Sequence, residues 1–250
     1  MFDCGKKSSL KNGLDAFFYL LWPKLCLNCH VPLEAEVPLC EKCAQQMLKS
    51  TGGTFCPRCG HQVSPWALVQ GACPQCLGQE FQIERLLCCG LYEGSLRQMI
   101  IGLKRGRSEL TDYLGSLLKT VVEASELRQH IDMLVPVPLH WTRYWRRGYN
   151  QAQLLARSLG IPLCEVLRRV RRTPIQPGMS SWAARQRNVA QAFAVKDPEN
   201  GVAGQRLCLV DDIKTSGATL NECARMLREA GAVSVWGLVL AVAGQGGPPD

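Results

Sequence analysis

The chain has 250 residues, 46% of them hydrophobic, enough for one large domain or a small domain joined to a medium one. Eight of its 14 cysteines form four Cys-x-x-Cys pairs, which argues against a disulfide scaffold and for tetrahedral metal. The net charge of +8 sits almost wholly in Arg143 to Arg187, where ten arginines meet one acid, Glu165: a balance suited to phosphorylated ligands or nucleic acid, with solvated arginines as the plainer alternative.

At the N-terminus, residues 1–25 predict a short amphipathic helix. Lys6, Lys7 and Lys11 precede the apolar run Ala16 to Trp22, which is too short to span a membrane and has no small-x-small cleavage site. Stable membrane insertion is therefore not expected, although surface attachment through this helix stays open. With no targeting segment the thiols stay reduced, and the expected location is cytoplasmic.

Residues 26–76 are rich in Cys, Pro and Gly and show no long period-3.6 or period-2 apolar pattern, so metal must supply the missing stability. Cys26, Cys29, Cys40 and Cys43 make one candidate Cys4 site and Cys56, Cys59, Cys73 and Cys76 a second. Spacing equally allows an interleaved pairing of the same knuckles. Four thiolates leave no open coordination position, so two structural Zn2+ ions are expected. His30 and His61 read as loop residues. Cys88, Cys89, Cys164, Cys208 and Cys223 read as core residues.

After a linker near Leu77 to Phe81, residues 82–243 alternate strands with amphipathic helices, and 244–250 form a turn-rich tail. Strands are predicted at Arg85–Tyr92, Met133–Val137, Leu207–Val210 and Val233–Val242. Helices are predicted at Leu96–Leu103, Glu109–Gln129, Asn150–Leu159 and Leu220–Ala230, with a less regular arginine-rich stretch before the third strand. The fold class is α/β, a mostly parallel sheet covered by helices behind a small Cys-rich module.

The string from Leu207 to Thr219 carries the most chemistry. An apolar strand ends in Asp211 and Asp212, hydroxyls surround Gly217, and an amphipathic helix follows. The amides and hydroxyls of Thr215, Ser216, Gly217, Ala218 and Thr219 suit a phosphate at a helix N-terminus. The two carboxylates suit the adjacent hydroxyls of a ribose whose 5′-phosphate fills that loop. The competing reading is an Asp pair that merely ends a strand and a Thr that caps a helix.

This string resembles the phosphoribosyl pyrophosphate (PRPP) motif of type I phosphoribosyltransferases, departing at Lys214, where the family usually has no cation. Val135-Pro136-Val137-Pro138, then Trp145-Arg146-Arg147-Gly148-Tyr149-Asn150-Gln151-Ala152, then Gln176, Arg187-Asn188 and Phe193 resemble successive signatures of the ComF family, which includes the GntX-like proteins. The resemblance covers about residues 20–242 and implies a cytoplasmic, competence-associated protein acting on or near incoming single-stranded DNA. It implies a phosphoribosyltransferase-type domain that takes PRPP with Mg2+. Asp211 and Asp212 then hold the ribose hydroxyls, Leu139, His140 and Arg143 contact diphosphate, and Thr173 to Asn188 form a mobile loop bringing Arg185 and Arg187 over the leaving group. Trp145 and Tyr149 beside Arg146 and Arg147 suit base stacking along a phosphate track, with packing of the aromatics against the sheet as the alternative. An active transferase on an unidentified base or amine, and a zinc-ribbon scaffold for a helicase-like or channel partner, remain open readings.

Overall fold

The structure, a computed structural model, describes residues 23–33, 37–76, 79–171, 182–196 and 201–244. Residues 1–22 of the expected N-terminal helix, residues 173–181 of the expected mobile loop and most of the tail lie outside the described residues. Among the described residues no helix is long and apolar enough to cross a membrane.

The Cys-rich part contains helix α1 (Glu41–Thr51) and a small antiparallel pair, β1 (Thr54–Phe55) with β2 (Gln62–Val63). Then follow β3 (Arg85–Leu91), α2 (Gly94–Lys104), α3 (Leu110–Glu123), α4 (Leu127–His130), β4 (Met133–Pro136), α5 (Trp141–Arg147), α6 (Gln151–Arg157), β5 (Leu167–Arg169), α7 (Trp182–Val189), β6 (Phe193–Val195), β7 (Arg206–Lys214), α8 (Ala218–Glu229) and β8 (Ser234–Val242). β3, β8, β7 and β4 form one parallel sheet in that order, and β5 pairs with β6 antiparallel.

A parallel sheet must be covered on both faces, and the apolar runs of β7 and β8 supply both. Cys208 and Val210 of β7 pack with Leu238, Leu96, Leu114 and Leu155 on the face covered by α2, α3 and α6. Leu207 and Leu209 pack with Val239, Leu220, Cys223 and Leu227 on the face covered by α8 and the β5–β6 pair. Because side chains alternate along a strand, Asp211 and Asp212 must follow these opposite faces.

The outer edge of β3 is closed by the Cys-rich part. The Leu86 N–H donates to Pro57 O at 2.7 Å. A Cβ on Gly60 would lie 2.6 Å from Leu86 Cδ2, and one on Gly90 would lie 2.3 Å from Ser50 O, so the two parts meet at backbone distance. That contact hides an edge strand that would otherwise invite pairing.

Several elements depart from expectation. α1 arises without a long apolar pattern because it buries only Cys43, Met47 and Ser50. The helix expected over Glu109–Gln129 breaks after Glu123, where Ser125 Oγ donates to Val122 O and accepts from the Leu127 N–H, an alternative to helical bonding. β7 continues past Val210 to Lys214 because β8 still runs beside it there, while β4 stops at Pro136. α5 has no buried residue and therefore no apolar period to read, although Gly148, at φ 80°, gives it a left-handed C-terminal stop.

Candidate functional site: the β7–α8 loop and its flanks

Gly217 stands in the left-handed region at φ 80° as the N-cap of α8. A β-carbon there would both strain the backbone and come 2.9 Å from Lys214 Cε. An N-cap without a side chain leaves the first turn of the helix open to an anion, and Ser216 Oγ takes only the Ala218 N–H, at 3.3 Å. Thr215, Ser216 and Thr219 are partly exposed around the loop, whereas Ala218 is buried.

Asp212, only 5% exposed, lies under this loop on the α2/α6 face. Its Oδ2 accepts from the Gln151 amide at 2.9 Å and faces Lys104 Nζ at 3.2 Å. Asp211 lies on the opposite face, within electrostatic reach of Arg169 and Cys223, and its Oδ1 accepts the Asp212 N–H at 2.8 Å. Burial first, then the Asp212 charge, pushes the Asp211 carboxyl up to about 8.

On the strand-β4 side, Asn150 donates from Nδ2 to Val137 O at 3.0 Å and caps α6, accepting from the Ala152 N–H. His140 is buried and caps α5, where Nδ1 accepts from the Thr142 N–H at 3.3 Å. Leu139 is partly buried beside it. Arg143 is partly buried in α5, and its charge and that of Asp211 both act on the Arg169 guanidinium, itself stacked over Phe193. Arg187 is exposed on α7 and lines a groove with Asn221, Glu222 and Arg225; Arg185 falls in the same helix, its side chain outside the described residues. Along α5, Trp141, Tyr144, Trp145 and Arg146 are exposed. Arg147 is partly buried and donates to Gln151 Oε1 at 2.8 Å. Tyr149, by contrast, packs against the core and donates its hydroxyl to Leu103 O, so its ring is committed to the fold.

The cysteines assemble sequentially rather than interleaved. Cys26, Cys29, Cys40 and Cys43 form one group and Cys56, Cys59, Cys73 and Cys76 the other, with the sulfurs of each group within 4.8 Å of one another. Sulfur separations of 3.5 Å for Cys59–Cys73 and 3.8 Å for Cys56–Cys76 are far beyond a disulfide and match the edge of about 3.8 Å expected for a tetrahedron with Zn–S of about 2.3 Å. The Cys56 thiol is down at about 7 although burial opposes this, because the backbone amides of Cys59, Arg58 and Cys73 outweigh it. Each first knuckle turns through a left-handed residue, His30 at φ 63° and Gly60 at φ 72°, so His30 shapes a turn.

Two family descriptions match the chain: a double zinc ribbon domain over residues 17–77 and a phosphoribosyl transferase domain over residues 108–250. Competence protein F of Haemophilus influenzae is 35% identical over 228 residues, covering 86% of this chain and 96% of that protein. The chain belongs to the ComF family. DNA utilization protein YhgH of Escherichia coli is 34% identical with the same coverage, and competence protein ComFC of Bacillus subtilis is 30% identical over 207 residues, covering 80% of this chain and 81% of that protein. In this ComF-family chain the two Cys4 groups are therefore structural zinc sites of the double ribbon.

Two side chains at the ComF-family loop have no counterpart in the sequence reading. Gln151 sits inside the Trp145–Ala152 signature, but only the fold brings it to Asp212. Lys104 ends α2 and carried no signal beyond a helix stop. The unusual Lys214 is partly exposed and lies against Gly217, where partial burial lowers its pKa and the Cys59, Cys88, Cys56 and Cys73 sulfurs oppose that shift.

Proposed function

We propose that this chain is a cytoplasmic DNA-handling competence protein whose phosphoribosyltransferase domain binds PRPP with Mg2+. The observation that carries the reading is the left-handed Gly217 at the open N-terminus of α8 with Asp211 and Asp212 on the strand that leads into it. The loop from Thr215 to Thr219 takes the 5′-phosphate, and the two aspartates orient the ribose hydroxyls. Arg143 and Arg169 bring positive charge to the Asp211 side, where a diphosphate group needs it. Mg2+ bound with PRPP would supply positive charge against the phosphate oxygens. Asp211, held neutral near pH 7 by burial, can donate a hydrogen bond to a ribose oxygen or ionise when a cation approaches.

The DNA part of the reading is supported by the names of the relatives, competence protein F and DNA utilization protein, and by the exposed aromatics of α5 interleaved with arginines. Zinc thiolates fit a reducing compartment. The 91% exposure of Trp66 on the second ribbon favours a further role in docking a DNA-uptake partner such as a helicase or channel. Calorimetry with Mg2+-PRPP, followed by a diphosphate-release assay with single-stranded DNA and free bases, tests the proposal. Absence of PRPP binding at millimolar ligand would remove it, and binding without release would establish a sensor rather than a transferase.

A further inference from the structure

The C-terminal ends of α2 and α5 face each other across a pocket of about 370 Å3 lined by Lys104, Arg105, Gly106, Arg146 and Arg147. No acid lines it. Basic residues at helix C-termini are ordinary partners of the helix dipole and then normally diverge into water. Here four from two helices converge instead. Arg147 is partly buried, and its Nε is buried without a hydrogen-bond partner. Arg105 and Arg146 are exposed and have no carboxylate partner among the described residues. Among the described residues the compensating charge is Asp212, which takes Lys104 directly and Arg147 through Gln151. One carboxylate against four cations leaves the pocket strongly positive, and such convergence costs free energy unless an anion occupies it.

We infer that Lys104, Arg105, Arg146 and Arg147 form a binding site for paired phosphates beside the β7–α8 loop, joined to it through Asp212. Two sources carry that chemistry: successive phosphates of a nucleic-acid backbone, or free diphosphate. The pocket is of a size that holds small ligands, roughly 300 Å3 or more. Trp145, the residue before Arg146, is 82% exposed, so a strand whose backbone enters the pocket has a base-stacking surface next to it. The backbone arm rests on the DNA reading above; the site itself does not.

The full-length, zinc-loaded protein is titrated with inorganic diphosphate by calorimetry and with a labelled oligothymidylate by fluorescence anisotropy. Arg105→Ala is the deciding variant, because it lies outside α5 and its exposed side chain leaves the fold intact. It should weaken at least one probe about tenfold, the lower end for a hydrogen bond between charged groups. Arg105→Ala with Arg146→Ala should also reduce the salt slope of oligonucleotide binding by about 1.4, at about 0.7 per single-strand phosphate contact. Loss of both probes, with diphosphate displacing the oligonucleotide, supports one shared site. Loss of the oligonucleotide alone supports a backbone site, and loss of diphosphate alone a diphosphate site. Both affinities within twofold of wild type in Arg105→Ala would overturn the inference while leaving the DNA reading intact. A wild-type protein that binds no oligonucleotide removes the DNA reading and leaves the pocket to the diphosphate titration.

Discussion

Asp211 and Asp212 are consecutive in β7 yet lie on opposite faces of the sheet: Asp212 is buried and ion-paired with Lys104 at 3.2 Å, while Asp211 is partly buried on the α8 face, within reach of the Arg169 charge. One strand thus delivers two carboxyl groups in different electrostatic states to the same ligand loop. Their substitutions should therefore differ in kind.

Asp212→Asn should weaken Mg2+-PRPP about 10- to 150-fold, the range for a charge-assisted hydrogen bond of about 1.5 to 3 kcal/mol, whereas Asp211→Asn should weaken it only about 2- to 10-fold, the range for a neutral one of about 0.5 to 1.5 kcal/mol. The stability effects should separate. Asp212→Asn leaves Lys104 without its carboxylate and should destabilise by roughly 1 to 3 kcal/mol, whereas Asp211→Asn removes a carboxyl group that burial penalises when charged. Urea unfolding of both variants at pH 7 checks the contrast, and equal losses would mean that the two faces are not distinct.

The same shift fixes a pH dependence. Asp211 has its folded pKa at about 8, above the unfolded value near 3.8, so the folded state holds a proton that the unfolded state has lost between those limits. Its contribution to stability is fully present below about pH 4 and falls as pH rises through about 8. Wild-type melting temperature should therefore decline over that window more steeply than that of Asp211→Asn.

Mg2+-PRPP at about 100 times its dissociation constant should stabilise the wild type by about 2.7 kcal/mol, a rise of roughly 5 to 10 °C in melting temperature. Gly217→Val should abolish the rise, since valine is strained at φ 80° and its Cβ would meet Lys214 Cε at 2.9 Å. A retained shift in this variant would place the phosphate elsewhere.

Elemental analysis of protein purified under reducing conditions should find about two zinc per chain. Because Pro57, between two ligands of the second ribbon, accepts the Leu86 N–H, loss of that zinc should reach the sheet. Cys56→Ser should thus speed hydrogen exchange at Leu86, and unchanged exchange there would show that the edge strand stands without the ribbon.

Strand binding should depend on Trp145 and not on the Tyr149 hydroxyl. Trp145→Ala should cost about 1 to 3 kcal/mol of affinity per stacked base. Tyr149→Phe loses the bond to Leu103 O and should lower stability without changing affinity for oligothymidylate. The reverse pattern would mean that α5 is not the contact surface.

The zinc knuckles, the α/β alternation and the Leu207–Thr219 loop were legible because each is local: a Cys-x-x-Cys turn, an apolar period or a glycine between hydroxyls carries its chemistry within a few residues. What escaped were elements with little buried surface. α5 has no fully buried residue, and β5 and β6 span three residues each, so neither could leave a readable period.

Sequence by itself determined which residues carry the chemistry: eight thiols in pairs, two aspartates before a glycine loop, and arginines among aromatics. Tertiary structure alone decided their partners. Sequential pairing of the knuckles, the opposite faces taken by Asp211 and Asp212, the packing of Lys214 against Gly217, and the meeting of Lys104 with Asp212 across 108 positions of chain all depend on how helices are laid against a sheet. Local periodicity fixes the face a residue occupies, but which element covers that face is set by packing between segments distant in the chain.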